Sequence, residues 1–280
     1  MLDPLIVRRI VDAALEEDIG FCDLTSELVV PADAAAALAL NARHDMVIAG
    51  IDVAEAVFRR RAPDCDFRKS VDDGERVAGG TRLADVSGRA RGLLAAERTA
   101  LNLLQHLCGV ATLTAQYVEK IRGTRAQLVD TRKTTPGLRA LEKHAVVMGG
   151  ARNHRLRLDD GVLIKDNHIG ICGSIAAAMA RARARVPLLS KIEVECDTVE
   201  QVREALEAGA DVILLDNMSL EQLREAVRIA NGRVPLEASG GVRLETIRAI
   251  AETGVDFISV GRITQSAPGA DIGLDLVIRT

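Results

Sequence analysis

From about residue 126 onward the chain repeats one pattern, a short apolar run followed by a stretch with helical spacing. The runs are AQLVD, GVLIKD, KIEVEC, DVILLD, VPLEAS and DFISVG. VEQVREALEAGA, LEQLREAVRIANG and RLETIRAIAETGV are the clearest helices between them, each ending near a Gly that stops it. Strands that alternate with crossover helices pair in parallel, which leaves a barrel or a doubly wound sheet. The polar residues decide between these. Nearly every run ends in a chemically useful group: Asp130 to Lys133, Lys165 to Asn167, Glu195, Asp216, Ser239 and Gly261. A barrel gathers all such carboxyl ends on one face, whereas an open sheet leaves distant ends apart. The pattern therefore predicts an α/β barrel with its site at those ends.

The preceding part of the chain reads differently. A helix is expected from about Leu5 to Asp18, then short strands in LALNARHDMVIAG and RLADVSGRARG with the helix IDVAEAVFRRRA between them. A long helix from about Leu93 to Ile121 leads out of this α+β domain. The expected divisions are an N-terminal domain over 1–105, a catalytic barrel over 106–265, and a segment 266–280 packing back on the first domain. The apolar stretch Leu101–Thr114 is broken by Asn102, Gln105, His106 and Gly109 and falls short of the roughly 20 apolar residues that span a bilayer. It reads as a buried helix, and no membrane attachment is expected.

Composition narrows the chemistry. With no Trp, one Tyr and four Phe, the core must be filled by aliphatic side chains, and stacking on nucleic-acid bases is disfavoured. A net charge of −4 excludes a globally basic nucleic-acid binder, so any anion site is local. Five cysteines without CxxC spacing suggest neither a disulfide framework nor structural zinc. The amino terminus lacks the features of a signal peptide, and a cytoplasmic location is expected.

In KIEVEC, strand alternation puts Lys191, Glu193 and Glu195 on one face, directed into the barrel, and Ile192, Val194 and Cys196 on the other. Inward charges are expensive unless they pair or bind ligands, so a buried ion-pair layer and a binding site both remain open. DTRKTTPG places Arg132 and Lys133 with two Thr hydroxyls before a Pro-Gly turn, suited to a phosphate or carboxylate; a solvated loop is the plainer alternative. GGARNHRLRLDDGVLIKDNH adds His154, Arg155, Lys165 and His168 around the next strand. Lys165 alone would also suit a Schiff-base lyase, but the convergence of cations favours a dianionic ligand. Glu195 and Asp216 offer hard oxygen ligands suited to Mg²⁺. EASGG and the VGR at Gly261 end the last two strands, where barrels commonly hold phosphate.

ERTALNLLQHLCGVAT, DTRKTTPGLR, NHR, LIKDNH, EVEC, LLDN and EASGG, in this order, resemble quinolinate phosphoribosyltransferase over nearly the whole chain. The resemblance implies an open α/β barrel behind an N-terminal α+β domain. It also implies Mg²⁺-dependent conversion of quinolinate and phosphoribosyl pyrophosphate to nicotinate mononucleotide, pyrophosphate and carbon dioxide in NAD biosynthesis. Carried over by motif, Arg132, His154, Arg155 and Lys165 would bind quinolinate, with Arg98 reaching in from the second subunit of a homodimer. Lys133 would contact pyrophosphate, and Glu195 and Asp216 would hold Mg²⁺ through water. Ser239, Gly240, Gly241 and Gly261 would cradle the phosphate, and Asn217 would meet the ribose. Lys133, Lys165, Glu195 and Asp216 are the expected catalytic set.

Several positions depart from the family's AVRxGGGxNHR and GL pattern: Val147 stands where Arg is usual, Ala151 where Gly is usual, and Arg157 before Leu158. Gln265 stands where His is common. If residue 151 required positive φ, Ala151 would be strained. Such changes also admit a ModD-like paralogue, associated with molybdenum transport and without this activity; LIKDNH argues against it.

Overall fold

The computed structural model describes residues 2–277. In chain order, the first elements are α1 (Pro4–Ile19), α2 (Leu24–Val29), β1 (Ala35–Ala42), β2 (Met46–Val47), α3 (Ile51–Arg61), β3 (Asp66–Lys69), β4 (Arg76–Val77) and β5 (Arg82–Arg89). There follow α4 (Ala90–Lys120), β6 (Gln127–Val129), α5 (Arg139–Met148), β7 (Val162–Ile164), α6 (Asp166–Cys172), α7 (Ile175–Arg183) and β8 (Ile192–Cys196). The chain closes with α8 (Val199–Glu207), β9 (Val212–Asp216), α9 (Leu220–Ala230), β10 (Leu236–Ser239), α10 (Ile247–Ala251), β11 (Phe257–Ser259), α11 (Arg262–Gln265) and β12 (Ile272–Leu276).

Two compact units result. One comprises the described parts of Met1–Ala115, Thr134–Gly150 and Ile263–Thr280, the other Gln116–Lys133 and Ala151–Arg262. Residues 134–150 thus lie with the first unit and not within the barrel span 106–265. The reason is local. α5 buries Leu141, Ala145 and Val146, and its Glu142 accepts a hydrogen bond from His106 Nε2 of α4 at 2.8 Å. After it, Gly149 sits so near α4 that a Cβ there would come within 2.6 Å of Thr114 Cβ.

The first unit is α+β. Its sheet is antiparallel in the order β12-β1-β5-β3, with Leu40 of β1 facing Ala84 of β5 and Leu274 of β12. The part of the expected segment 266–280 that forms β12 therefore pairs with β1, while residues 278–280 lie outside the described residues. α1 starts at Asp3, whose carboxylate accepts from Leu5 N–H, with Pro4 preset for the first turn. The central part of α4 is buried as its composition requires: Leu101, Leu104, Leu107, Cys108, Val110 and Ala111 are at most 3% exposed. Among the described residues, no helix is long and apolar enough to cross a membrane.

The second unit carries parallel strands in the order β6-β11-β10-β9-β8-β7. The last strand, β11, pairs with the first, β6, through Ile258 and Leu128, and a parallel bridge joins Val129 of β6 to Arg152. Strand neighbours therefore follow chain order around a cycle whose one opening lies between Arg152 and β7. This is an open α/β barrel. Its helices begin on side-chain caps: Thr198 with Gln201 at α8, and Ser219 with Gln222 at α9, form reciprocal capping boxes. Asn231 in left-handed conformation ends α9 before Gly232.

Candidate active site

Alternation along the barrel strands sorts two sets of side chains. Ile192, Val194, Cys196, Ile213, Leu215 and Ile258 are fully buried apolar groups on one face. On the other face, Leu163 and Lys165, Glu193 and Glu195, Leu214 and Asp216, and Glu237 and Ser239 lie at i, i+2 spacing. The carboxyl ends of the strands surround a cavity of about 410 Å³, within the range of small-ligand pockets. It is lined by Asp130, Thr131, Arg132, Lys133, His154, Arg155, Leu163, Lys165, Glu195, Leu214, Asp216, Glu237, Ser239 and Ser259.

The cations occupy one part of this lining. Arg132 and Lys133 follow β6, where Thr131 Oγ1 accepts the Lys133 N–H at 2.9 Å and fixes the start of the loop. Burial, followed by repulsion from Arg132, pushes the Arg155 guanidinium below its usual range. Two like charges held this close form a site that gains from an anion with more than one negative group. Lys165 Nζ, at the end of β7, meets Glu195 Oε2 of the neighbouring β8 at 2.6 Å.

Glu195 and Asp216 end neighbouring strands and present only oxygen donors. That donor chemistry fits Mg²⁺, which prefers carboxylates shared with water and phosphate. Asp216 Oδ2 accepts from Asn217 Nδ2 at 2.6 Å. Asn217 itself takes a left-handed φ of 52°, and Gly240 opposite it takes φ 94°. A Cβ at residue 240 would collide with the Asn217 side chain and come within 2.8 Å of its backbone N. Only glycine permits this approach of β9 and β10.

The expected residues are not all brought together. Arg132, Lys133, His154, Arg155, Lys165, Glu195, Asp216 and Ser239 line the cavity, whereas Asn217, Gly240, Gly241 and Gly261 are not among its lining residues. Gly261 lies close behind Lys133, 2.8 Å from where its own Cβ would stand to Lys133 Cδ. Arg98 lies exposed on α4 in the first unit. Lys191 precedes β8 and is exposed, so the inward charged face is Glu193 and Glu195 alone. The departures from the family pattern are mild. Ala151 is buried without positive φ, because that conformation falls on Gly150 at 92°. Arg157 pairs with Asp159 on the surface, Val147 is 42% exposed, and Gln265 is exposed at the end of α11.

Reasoning from sequence passed over Glu237 and Ser259, and noted Asp130 at its strand end without a role of its own. The signal was present in VPLEAS, where Glu237 and Ser239 share a face just as Glu193 and Glu195 do in KIEVEC. Glu193 and Glu237 are 7% and 3% exposed and approach His154 Nε2 at 2.9 and 3.5 Å. Asp130, fully buried, accepts the His154 backbone N–H at 2.8 Å.

Comparison with known proteins agrees with this architecture along its length. Residues 23–108 match the family model described as quinolinate phosphoribosyl transferase, N-terminal domain, and residues 110–275 match the corresponding C-terminal domain. Nicotinate-nucleotide pyrophosphorylase [carboxylating] of Mycobacterium leprae is 45% identical over 96% of this chain and 96% of its own. A probable enzyme of the same name from Bacillus subtilis is 39% identical over 99% of this chain and 96% of its own. Among solved structures, the nicotinate-nucleotide pyrophosphorylase of Francisella tularensis superposes with a TM-score of 0.95 at 39% identity, covering 99% of this chain and 98% of that one.

Proposed function

The chain belongs to the quinolinate phosphoribosyl transferase family, and we propose that it transfers the phosphoribosyl group of phosphoribosyl pyrophosphate to quinolinate with loss of carbon dioxide. The products are nicotinate mononucleotide, pyrophosphate and carbon dioxide, a step of NAD biosynthesis. The observation that carries this reading is the gathering of Arg132, Arg155 and Lys165 in the lining of one cavity, which suits a ligand with two carboxylates.

Arg132, Arg155 and Lys165 grip the pyridine dicarboxylate, with His154 on the same wall. Lys133 faces the pyrophosphate, whose departure from the sugar carbon requires charge stabilisation more than a strong nucleophile. Holding the pyridine nitrogen against that carbon lowers the entropic barrier, and the cations stabilise charge as the adjacent carboxylate leaves. Ser239 and the backbone of Gly240, Gly241 and Gly261 receive the sugar phosphate, and Asn217 the ribose. Glu195 and Asp216 would hold Mg²⁺, which when bound would neutralise pyrophosphate charge. Lys165 then turns from Glu195 to the substrate carboxylate. No Schiff base at Lys165 is needed.

The finer reading is a cytoplasmic homodimer in which Arg98 completes the neighbouring site. Its support is the exposure of Arg98 and of apolar Leu94 one turn earlier on α4, together with five unbonded cysteines. Light scattering of the purified chain tests the dimer, and Arg98→Ala should raise KM for quinolinate while leaving the dimer intact.

The deciding assay offers quinolinate and nicotinate side by side with phosphoribosyl pyrophosphate and Mg²⁺. Product and carbon dioxide from quinolinate alone are expected. A folded, metal-supplied protein that releases neither would overturn the assignment and favour an inactive paralogue.

A further inference from the structure

Beneath the cations lies a group of side chains to which the proposed reaction assigns no part. Glu193 projects from β8 and Glu237 from β10, both more than nine-tenths buried, and each keeps one carboxylate oxygen buried without a hydrogen-bond partner. Their other oxygens converge on His154 Nε2, and the three ligand atoms lie within 4.8 Å of one another. Two buried carboxylates this close require something positive or a proton between them. A divalent cation and a proton both meet that requirement on distance alone.

The far side of the imidazole separates them. The backbone N–H of Arg155 donates to His154 Nδ1 at 2.7 Å, so Nδ1 presents a lone pair. A neutral ring with its lone pair at Nδ1 carries its hydrogen on Nε2. An Nε2 that bears hydrogen donates to the carboxylates and has no lone pair for a metal. The Arg155 N–H at Nδ1 favours the neutral ring with its hydrogen on Nε2 over the cationic one. Burial, and then the neighbouring Glu193, push the Glu237 carboxyl up to about 8.

We propose that Glu193 and Glu237 are positioning residues for the dicarboxylate grip: through the Nε2–H of a neutral His154 they orient the imidazole, whose Nδ1 in turn fixes the backbone of Arg155. This rests on the reading of Arg155 as a substrate cation. The anchoring is redundant in direction, since Asp130 holds the His154 N–H from one side while the carboxylates hold its ring from the other. With its backbone tied at Nδ1 and its Nη1 donating to Gly161 carbonyl oxygen at 3.0 Å, Arg155 presents its guanidinium in one place despite repulsion from Arg132. In this role the carboxylates act through His154.

Two measurements test this. Nitrogen-15 NMR of the histidine rings in the full chain, with the His154 signals assigned by their loss in His154→Gln, should show a pyridine-type Nδ1 and a protonated Nε2. This readout needs no turnover, so it stands or falls apart from the assignment of the reaction. Steady-state kinetics of Glu237→Leu and Glu237→Gln should then show a quinolinate KM raised on the order of tenfold in the first, with a smaller change in kcat, and largely recovered in the second. Recovery by Gln distinguishes positioning from bulk packing, because only Gln retains a hydrogen-bonding group of the same shape. A protonated Nδ1 in the wild-type protein, or one tightly bound Zn²⁺ or Mn²⁺ per chain that is lost in Glu237→Leu, would overturn the proposal. So would folded Glu237→Leu with a KM within twofold of wild type. If Glu237→Leu does not fold, the ring tautomer in the wild-type and Gln proteins decides.

Discussion

Each unit holds a half-buried histidine against carboxylate, and the two arrangements are built to opposite ends. In the first unit, His144 Nε2 of α5 meets Asp73 Oδ2 at 2.6 Å, while Asp73 Oδ1 accepts from the N–H groups of Gly50 and Ile51 at 2.8 and 3.0 Å. Both carboxylate oxygens are satisfied, and one of them caps the start of α3. In the second unit, one histidine faces two carboxylates, and an oxygen on each is left without a partner. Burial pushes Asp73 upward, but His144 and the two backbone donors outweigh it and hold the carboxyl below its usual range. Burial and Glu193 push Glu237 the other way, to about 8. A fully satisfied, half-buried pair stabilises a fold; a crowded one beside a cavity marks where stability has yielded to function.

The comparison breaks most visibly if the two sites do not separate activity from stability. Arg155→Ala and Lys165→Ala should each lower kcat/KM by roughly 10³-fold, the scale of removing a charged group from a reacting site, with the melting temperature little changed. Asp73→Ala should do the reverse. It leaves His144 and two helix N–H groups without their acceptor and should cost about 3 kcal/mol in denaturant unfolding, with kcat/KM of the folded fraction kept within a few-fold. Activity lost in Asp73→Ala without loss of stability would erase the distinction.

The pH dependence of stability sharpens it further. The folded-state value of Glu237 lies above its unfolded one, so folding takes up a proton. Its stabilisation is fully present below about 4.5, the ordinary glutamate range, and is lost as pH rises through about 8. Glu193 on β8, His154, Asp130 and Ser259 on β11 are the groups facing it. Asp73 is depressed, so its stabilisation is present above about 3.8 and is lost as pH falls through its lower folded value. Glu237→Gln should therefore flatten the alkaline side of the stability profile, and Asp73→Asn the acid side. Identical profiles in the two variants would show that neither site dominates its own limb.

The same contrast explains what the amino-acid sequence disclosed. The barrel strands were legible because each apolar run ends in a polar residue at the same edge, and DTRK, NHR and LIKD place their cations there. The two-residue alternation in KIEVEC located Glu193 and Glu195, though Lys191 stops one residue short of β8 and turns to solvent. Glu237 was missed because the glycines after it drew attention to phosphate binding, and its significance arises only when β10 brings it to His154. α5 was hidden for another reason: its burial depends on residues far away in the chain, such as His106 and Ala111 of α4. Pairing of β12 with β1, whose partners are 230 to 238 residues apart along the chain, likewise has no local signal beyond a short apolar run.

The smallest expected effect lies on the same helix as His144. Val147 stands near the carboxyl end of α5, 42% exposed, where the resemblance to the family leads to the expectation of Arg. An exposed side chain at that end makes no buried contact to lose, and a cation there interacts favourably with the helix dipole. Val147→Arg should therefore change unfolding free energy by less than about 0.5 kcal/mol, in the stabilising direction at low ionic strength, and fade as salt is added. The quinolinate KM should stay within twofold. A larger shift in KM would mean that this surface of the first unit, and not only Arg98, bears on substrate binding, and the contrast between the two histidine sites would have to be redrawn around α5.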